Sequence, residues 1–468
     1  MNVMILGMLA IGVAHSNVNA AANELRVVES LEVGETFAGT AIGATLLTHG
    51  DHQYVAYYDA GQQVTIAQRR LGSDKWAYRK LPLNARWNNH VAIKGLAIDQ
   101  DGLLHLSGNM HVVPLVYWRT TVPYDCETLQ ERGINHIDTL EPINRMVGDK
   151  ESRVTYERFS TMPDGRLMFR YRYGRSGDGQ EIQNVWNPEQ QRWGRLRDEP
   201  LFDGLGRMNA YGTGQIRGPD GNFHMRYMWR DTPDARTNHT LSYVWSEDFF
   251  TWKTAGGDVV ELPLTPDTEG VVVDPIAPRK GLINMGFTLG FDAQNRPIVS
   301  YHKYDAEGKS QIYNARWETD HWKIYQTSDW DWRWEFGGWG AIPCKVRAGS
   351  VQPTDDGFLS QPYGHEKAGS GVWKLDPDTL KPVGKLPPRG FAMPRRLRKP
   401  RNDFTHEDGT SMQVHWRRDL GDSGDDGTYY YLRWESLPVN RDRPRRGELP
   451  EPSKLMLYKM VEPAANAE

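Results

Sequence analysis

Three residue pairs in the 468-residue chain have side chains that do acid–base or anion chemistry and sit at matching distances from a turn. His90 and His111 flank the turn at Asp99–Gly102, Tyr156 and Arg172 flank Asp164, and Tyr211 and Arg230 flank Pro219–Asn222. In an antiparallel hairpin, residues equidistant from the turn centre are cross-strand neighbours with side chains on one face. The spacing therefore predicts a His/His pair and two Tyr/Arg pairs at equivalent hairpin ends. Asn109, His239 (beside Asn238), His302 and Tyr304 are candidates to extend the same wall. A lone His or Tyr at a strand end is more often a packed, hydrogen-bonded residue. Arg172 and Arg230 have a plain role open to them as well, pairing at the rim with Asp178 or Asp231 for about 0–1 kcal/mol each. As a set, two cations, two imidazoles and two phenols with no central carboxylate suit an anionic ligand.

That set fits proton abstraction beside a carboxylate. The C5 hydrogen of a uronic acid becomes removable once the carboxylate charge is offset, and arginine, permanently cationic and bidentate, is suited to offset it. A neutral imidazole, with a pKa near 6.5, takes the proton, and a tyrosine or second histidine protonates the departing O4 oxygen. The reaction is a β-elimination leaving a 4,5-unsaturated uronate. On this reading His111 or His90 is the base, Tyr156 the opposite proton donor and Arg172 the carboxylate neutraliser. Arg230, Tyr211, Asn109, His239, His302 and Tyr304 are substrate-binding candidates. The roles of His90, His111 and Tyr156 can exchange, because glucuronate and iduronate present the C5 hydrogen on opposite faces. No paired carboxylates converge with these residues, which disfavours two-carboxylate glycoside hydrolysis. There is no Gly-rich phosphate loop, HExxH or CxxC.

The elements that must position these groups recur along the chain. Turns ending at Gly50, Gly102, Gly165, Gly221, Asn295, Gly357 and Gly409 each lead into an alternating, strand-like segment. Their mean separation, about 60 residues, is that of a four-stranded propeller blade with generous loops. Tryptophan-bearing strands follow several of them, at Trp76, Trp193, Trp252, Trp322 and Trp373. Ser246–Trp252 has the look of a degenerate Asp-box. The expected fold is an all-β, seven-bladed β-propeller, with two stacked sandwiches as the less regular rival.

Composition agrees. There are 17 Trp, 21 Tyr and 13 Phe, too many aromatics for a disordered chain, and 46 Gly and 28 Pro to supply turns. A formal charge of -4 excludes a generally basic nucleic-acid binder. Beyond the first 20 residues no apolar run approaches the roughly 18 needed to span a bilayer. Residues 1–22, with the apolar stretch Val3–Ala14 and small residues at Ala20–Ala22, read as a signal peptide, which makes 23–468 one catalytic domain, secreted or periplasmic. Cys126 and Cys344 are read as two unrelated thiols, with one bridge as the alternative. The basic runs Arg395–Arg401 and Arg441–Arg446 are solvated loops or added attraction for a polyanion. Trp330, Trp332, Trp334 and Trp339 are either core or a sugar-stacking platform.

The segments NNHVAIKGLAIDQDGLLHLSGNMHVVPLVYWR (88–119), SRVTYERF (152–159), GPDGNFHMRYMWRDTPDARTNHTLSY (218–243) and GFDAQNRPIVSYHKYDAEGKSQIYNAR (290–316) resemble the seven-bladed propeller polysaccharide lyases, of which ulvan lyases are the best-known members. The resemblance spans about Thr40 to Trp334. His90 and His111 match that family's histidines, and Tyr156 and Arg172 its tyrosine and charge-neutralising arginine. It implies an exported bacterial enzyme, a monomer acting on an anionic sulfated polysaccharide by cleaving between sulfated rhamnose and a uronate. No cofactor is needed for the chemistry. A structural calcium or zinc ion is implied, for which Cys344, His365 or an Asp-rich loop are the available ligands. The rivals are a rhamnose–glucuronate lyase acting on plant gum, a sialidase-like hydrolase suggested by the Asp-box, and a non-catalytic carbohydrate-binding propeller.

Overall fold

The computed structural model describes residues 24–85, 92–388, 390–421 and 427–463. The proposed signal segment and His90 lie outside the described residues. Every strand pairing within the sheets is antiparallel, and the strands form a β-propeller.

The recurring turns are hairpins between neighbouring strands of successive sheets. They join Thr45–His49 to His52–Tyr58, Gly95–Ile98 to Leu104–Ser107, and Val154–Thr161 to Leu167–Arg175. Next come Ile216–Arg217 to Phe223–Arg230, Thr288–Phe291 to Pro297–Tyr304, and Gln352–Pro353 to Leu359–His365. The turn chemistry explains their regularity. Asp99 accepts hydrogen bonds from the backbone N–H groups of Asp101 and Leu103, and Gly102 takes a left-handed φ of 80° that a side chain would resist. Asp292 does the same for Gln294 and Arg296, with Asn295 at φ 61°.

Six blades thus come from successive stretches between Thr45 and Leu386, where the turn spacing predicts seven. The seventh turn, at Asp408–Gly409, leads into a sheet of another kind. There Gln413–Arg418, Thr428–Ser436 and Ser453–Val461 are joined by the N-terminal strand Arg26–Thr36. That sheet ties the two ends of the chain together through the register Arg26↔Val461 to Thr36↔Ser453.

Apolar clusters fill the space between neighbouring sheets. One joins Tyr54, Ile66 and Leu81 of the first sheet to Leu96, Leu106 and Trp118 of the second. Another joins Tyr243 and Met228 of the fourth to Leu289, Tyr301 and Ala315 of the fifth. Two buried histidines inside the sheets are paired in the same way. His105 bonds Asp99 at 2.9 Å and the Tyr117 hydroxyl at 2.7 Å. His224 repeats this with Asp220 (2.9 Å) and Tyr243 (2.6 Å) in the fourth sheet. Burial holds both imidazoles below their ordinary pKa, so each is neutral, donating from Nε2 to the carboxylate and accepting the phenol proton at Nδ1.

Ser246–Trp252 closes as the Asp-box pattern suggests. Asp248 accepts from the N–H groups of Phe250 and Thr251, while Trp252, fully buried, donates to the Phe249 carbonyl. Cys126 and Cys344 are free thiols. Among the described residues no three His, Cys, Asp or Glu side chains are grouped to hold a metal. Cys344 donates to the Val346 carbonyl, and His365 Nδ1 accepts from the Lys367 and Ala368 N–H groups, so neither is arranged as a ligand. No helix among the described residues is long and apolar enough to cross a membrane.

Candidate active site

A cleft of about 540 Å³ opens where the third and fourth sheets meet three loops from later in the chain. His111, Tyr156, Arg172, Tyr211 and Arg230 all line it. The structure brings these five together, but by a different geometry from simple hairpin symmetry.

In each pair the register is displaced. Thr155, not Tyr156, stands opposite Arg172, because the ladder is broken between Thr155 and Arg158 and resumes at Arg158↔Arg170. Tyr156 is the bulged residue, at φ 60°. A bulge inserts an unpaired residue and re-aims its side chain, and left-handed backbone at a non-glycine is strain that concentrates at functional sites. Tyr211 stands opposite Met228, and Arg230 opposite Asn209. His111 does not belong to the hairpin that follows His90. That hairpin's strand ends at Ser107, and His111–Val113 is an edge strand of the next sheet, pairing with Val154–Thr161. It is bulged too: Val112 has φ 57°, and its N–H donates to the Thr155 hydroxyl at 2.8 Å. His111 and Tyr156 therefore sit on adjacent bulges, with ring centroids 6.5 Å apart.

Arg172 is the centre of the site. It is only 7% exposed, and no described carboxylate lies within ion-pairing distance of it. Its Nη1 donates to the Tyr211 hydroxyl at 3.3 Å, and its guanidinium lies 4.8 Å from the Tyr156 ring centroid. Its Nε and Nη2 are buried without a hydrogen-bond partner. Leaving donors of a buried cation unsatisfied is costly unless a ligand completes them. Gly179 makes the placement possible, since a Cβ there would stand 3.1 Å from Arg172 Cδ. Arg230 is held differently: Nε donates to the Thr232 carbonyl at 3.0 Å and Nη2 to the Pro233 carbonyl, with the cation 5.1 Å from the Tyr211 ring centroid.

The two phenols diverge electrostatically. Burial, then the neighbouring Tyr211, drives the Tyr156 pKa well up, against the opposing pull of Arg172 and Arg230. For Tyr211 burial is again the largest influence and acts upward. Arg172, Arg230 and the 2.6 Å bond with Ser176 outweigh it, and the net direction is down. Tyr156 is thus the phenol that keeps its proton, and Tyr211 the one whose proton is loosened.

The remaining candidates are placed elsewhere. Asn109 is buried at φ 60° with its amide donating to the Asn84 carbonyl. His239 bonds Asp231 and Thr240, both at 2.9 Å. His302 is in the core of the fifth sheet, bonded to the Gly281 carbonyl at 2.6 Å and ringed by Tyr304, Trp334 and Phe336. Tyr304 donates to the Trp334 carbonyl at 2.8 Å. None of the four lines the cleft. Conversely, Ser176, Asn284 and Asp442 line it and were not singled out by spacing. Asp442 corrects the expectation of a site without a carboxylate. Of the tryptophan cluster, Trp334 is core, whereas Trp339 is 57% exposed on the cleft wall with Arg443 5.1 Å from its ring centroid.

The family model described as BNR repeat-containing family member matches residues 52–330. The crystal structure of polysaccharide lyase Uly1 aligns at a TM-score of 0.61 and 15% identity, covering 93% of this chain and 100% of that one. A PL25 ulvan lyase aligns at 0.54 and 14%, covering 93% and 96%, and so does a structure of that enzyme bound to -[GlcA(1-4)Rha3S]-. At these identities the likeness is one of fold. No curated protein matches the sequence.

Proposed function

The chain belongs to the BNR repeat-containing family, and on that footing we propose that it is a polysaccharide lyase that cleaves a uronate-containing polymer by β-elimination. The observation that carries this reading is Arg172, a buried cation with unmatched N–H donors and no carboxylate partner among the described residues, set between two phenols and facing His111. A uronate carboxylate completes those donors in bidentate fashion and, once neutralised, leaves the C5 hydrogen acidic. His111 takes that proton. Electrons from the C5–H bond form the C4=C5 double bond as the C4–O4 bond breaks, and the Tyr156 hydroxyl donates its proton to O4. Burial keeps that hydroxyl protonated until O4 departs. Arg230 and Tyr211 hold Arg172 and the sugar in place. His90 remains the other candidate base.

We further propose ulvan, the sulfated rhamnose–uronate polymer, as substrate, which the ligand in the PL25 ulvan lyase complex and the shared fold support. The same reading takes residues 1–22 as an export signal and the enzyme as a secreted or periplasmic monomer. The test is ultraviolet absorbance of the unsaturated uronate during incubation with ulvan, gum arabic and other uronate polymers. A rise on ulvan supports the proposal in full, and a rise on gum arabic alone retains the reaction but changes the substrate. New reducing ends without absorbance would mean hydrolysis. That outcome is not expected, since among the described residues Asp442 is the one acidic residue on the cleft wall and two-carboxylate catalysis needs a pair.

A further inference from the structure

Behind the cleft, and sharing Tyr156, Arg172 and Tyr211 with it, lies a second cavity of about 440 Å³. Among the described residues its wall carries Lys94, Arg158, Arg170, Arg172 and Arg226 against one acid, Glu181. Arg158 and Arg170 are directly opposed across the hairpin. Like charges in that position repel unless something lies between them. Arg170 spends Nη1 on the Thr213 carbonyl (2.6 Å) and stands 3.8 Å from Glu181. Arg226 spends Nη1 on the Gly212 carbonyl (2.9 Å), and both arginines leave Nε buried and unpartnered. The side chains of Lys94 and Arg158 make no hydrogen bond or ion pair with any described residue. Burial first lowers the Lys94 pKa; Glu157 opposes that, while Arg158 and Arg417, the latter from the sheet that joins the chain ends, add to it.

Two buried acids, Glu157 and Glu181, stand near these cations and are fewer than them. Burial pushes the nearby Glu157 up to about 8, and burial likewise raises Glu181. The cations crowd one another: burial, then Arg170 and Arg158, lowers Arg226 to about 10. A concave site with excess fixed positive charge and convergent N–H donors is complementary to an anion of high charge density.

We propose that this cavity binds a tetrahedral oxyanion, sulfate or phosphate, between Arg158, Arg170 and Lys94. The site is separate from the carboxylate contact at Arg172 and does not depend on the lyase reading. The anion relieves the Arg158/Arg170 opposition and steadies the bulge that carries Tyr156.

The test is calorimetric titration of the full chain with sodium sulfate and with sodium phosphate, in chloride buffer at constant ionic strength, without polysaccharide. One anion per chain is expected, and Arg158→Gln should weaken it by about tenfold or more, the loss of a charge-assisted contact. Arg395→Gln, on the exposed basic run, should bind as the native chain does. No binding beyond chloride, or equal binding by R158Q, would overturn the site. A monosaccharide sulfate ester titrated in parallel distinguishes the source: Arg158-dependent binding of the ester assigns the site to a sulfated sugar, and its exclusion assigns it to the free ion. Because no turnover is measured, the result stands apart from the outcome of the lyase test.

Discussion

The third and fifth sheets hold the same kinds of side chain and put them to opposite uses. In the fifth, His302 and Tyr304 lie on a strand whose register runs unbroken from Ile298↔Arg316 to Tyr304↔Ser310. His302 is sealed in an aromatic cage, Tyr304 is hydrogen-bonded to backbone, and Arg333, stacked on Tyr304 at 3.7 Å, is neutralised by Glu335 at 2.7 Å. In the third, Tyr156 and the Val112 that follows His111 both sit at bulges, and Arg172 has no carboxylate partner among the described residues. Residue type does not separate a core histidine from one that lines the cleft. The difference is a broken ladder, which turns the side chains into a cleft instead of into the neighbouring blade.

This contrast can be tested by substitution on both sides. His111→Ala and Tyr156→Phe should each lower turnover by about 10²–10⁴-fold, the usual worth of a general base or acid, with the unfolding temperature little changed. Arg172→Gln should cost about 10²–10³-fold, as removal of a group that stabilises developing charge does. His302→Gln should reverse the pattern, lowering stability by about 1–3 kcal/mol in chemical denaturation while the folded fraction keeps its turnover. A His302 variant that folds normally yet loses turnover as His111→Ala does would erase the distinction.

A pH effect sharpens it. Burial first, opposed by the hydrogen bond to the Gly281 carbonyl, lowers the His302 pKa to about 4 from an ordinary 6.5. Between those values the unfolded chain binds a proton that the folded chain does not, so stability rises with pH from about 4 to 6.5 and is fully present above that. Thermal unfolding across that window should show the slope in the native chain and a shallower one in His302→Gln. The smallest effect is expected at the cleft rim, where Trp339→Ala should raise KM several-fold and spare kcat, the scale of one exposed stacking contact worth about 0.5–1.5 kcal/mol. A loss confined to kcat would place Trp339 in the chemistry instead.

How far the site could be read from sequence follows from the same physics. Turns such as Asp99–Gly102 and Pro219–Gly221 declare themselves, because their aspartates and positive-φ glycines are needed by the backbone itself. Symmetry about those turns brought Tyr156, Arg172, Tyr211 and Arg230 to the right cleft, yet missed each pairing by one or two positions. Hairpin arithmetic assumes an unbroken ladder, and the bulge at Tyr156 has no glycine or proline to announce it. His111 shows the stronger form of this failure, since its strand leaves one sheet for the next within four residues of Ser107. Asp442 and Trp339 were beyond reach for another reason. They arrive on distant loops held together by bonds from Arg441 to the Gly337 and Trp339 carbonyls, a closure no local pattern encodes.

The central claim is that Arg172 receives the uronate carboxylate. It is tested most directly by a crystal structure of His111→Ala soaked with an unsulfated or sulfated uronate oligosaccharide too slow to turn over. The expected result is a carboxylate bound across the Nε and Nη2 of Arg172, with the Tyr156 hydroxyl at O4 of the same sugar. A sugar bound in the cleft with its carboxylate turned to solvent or to another cation, and Arg172 still unmatched, would contradict it.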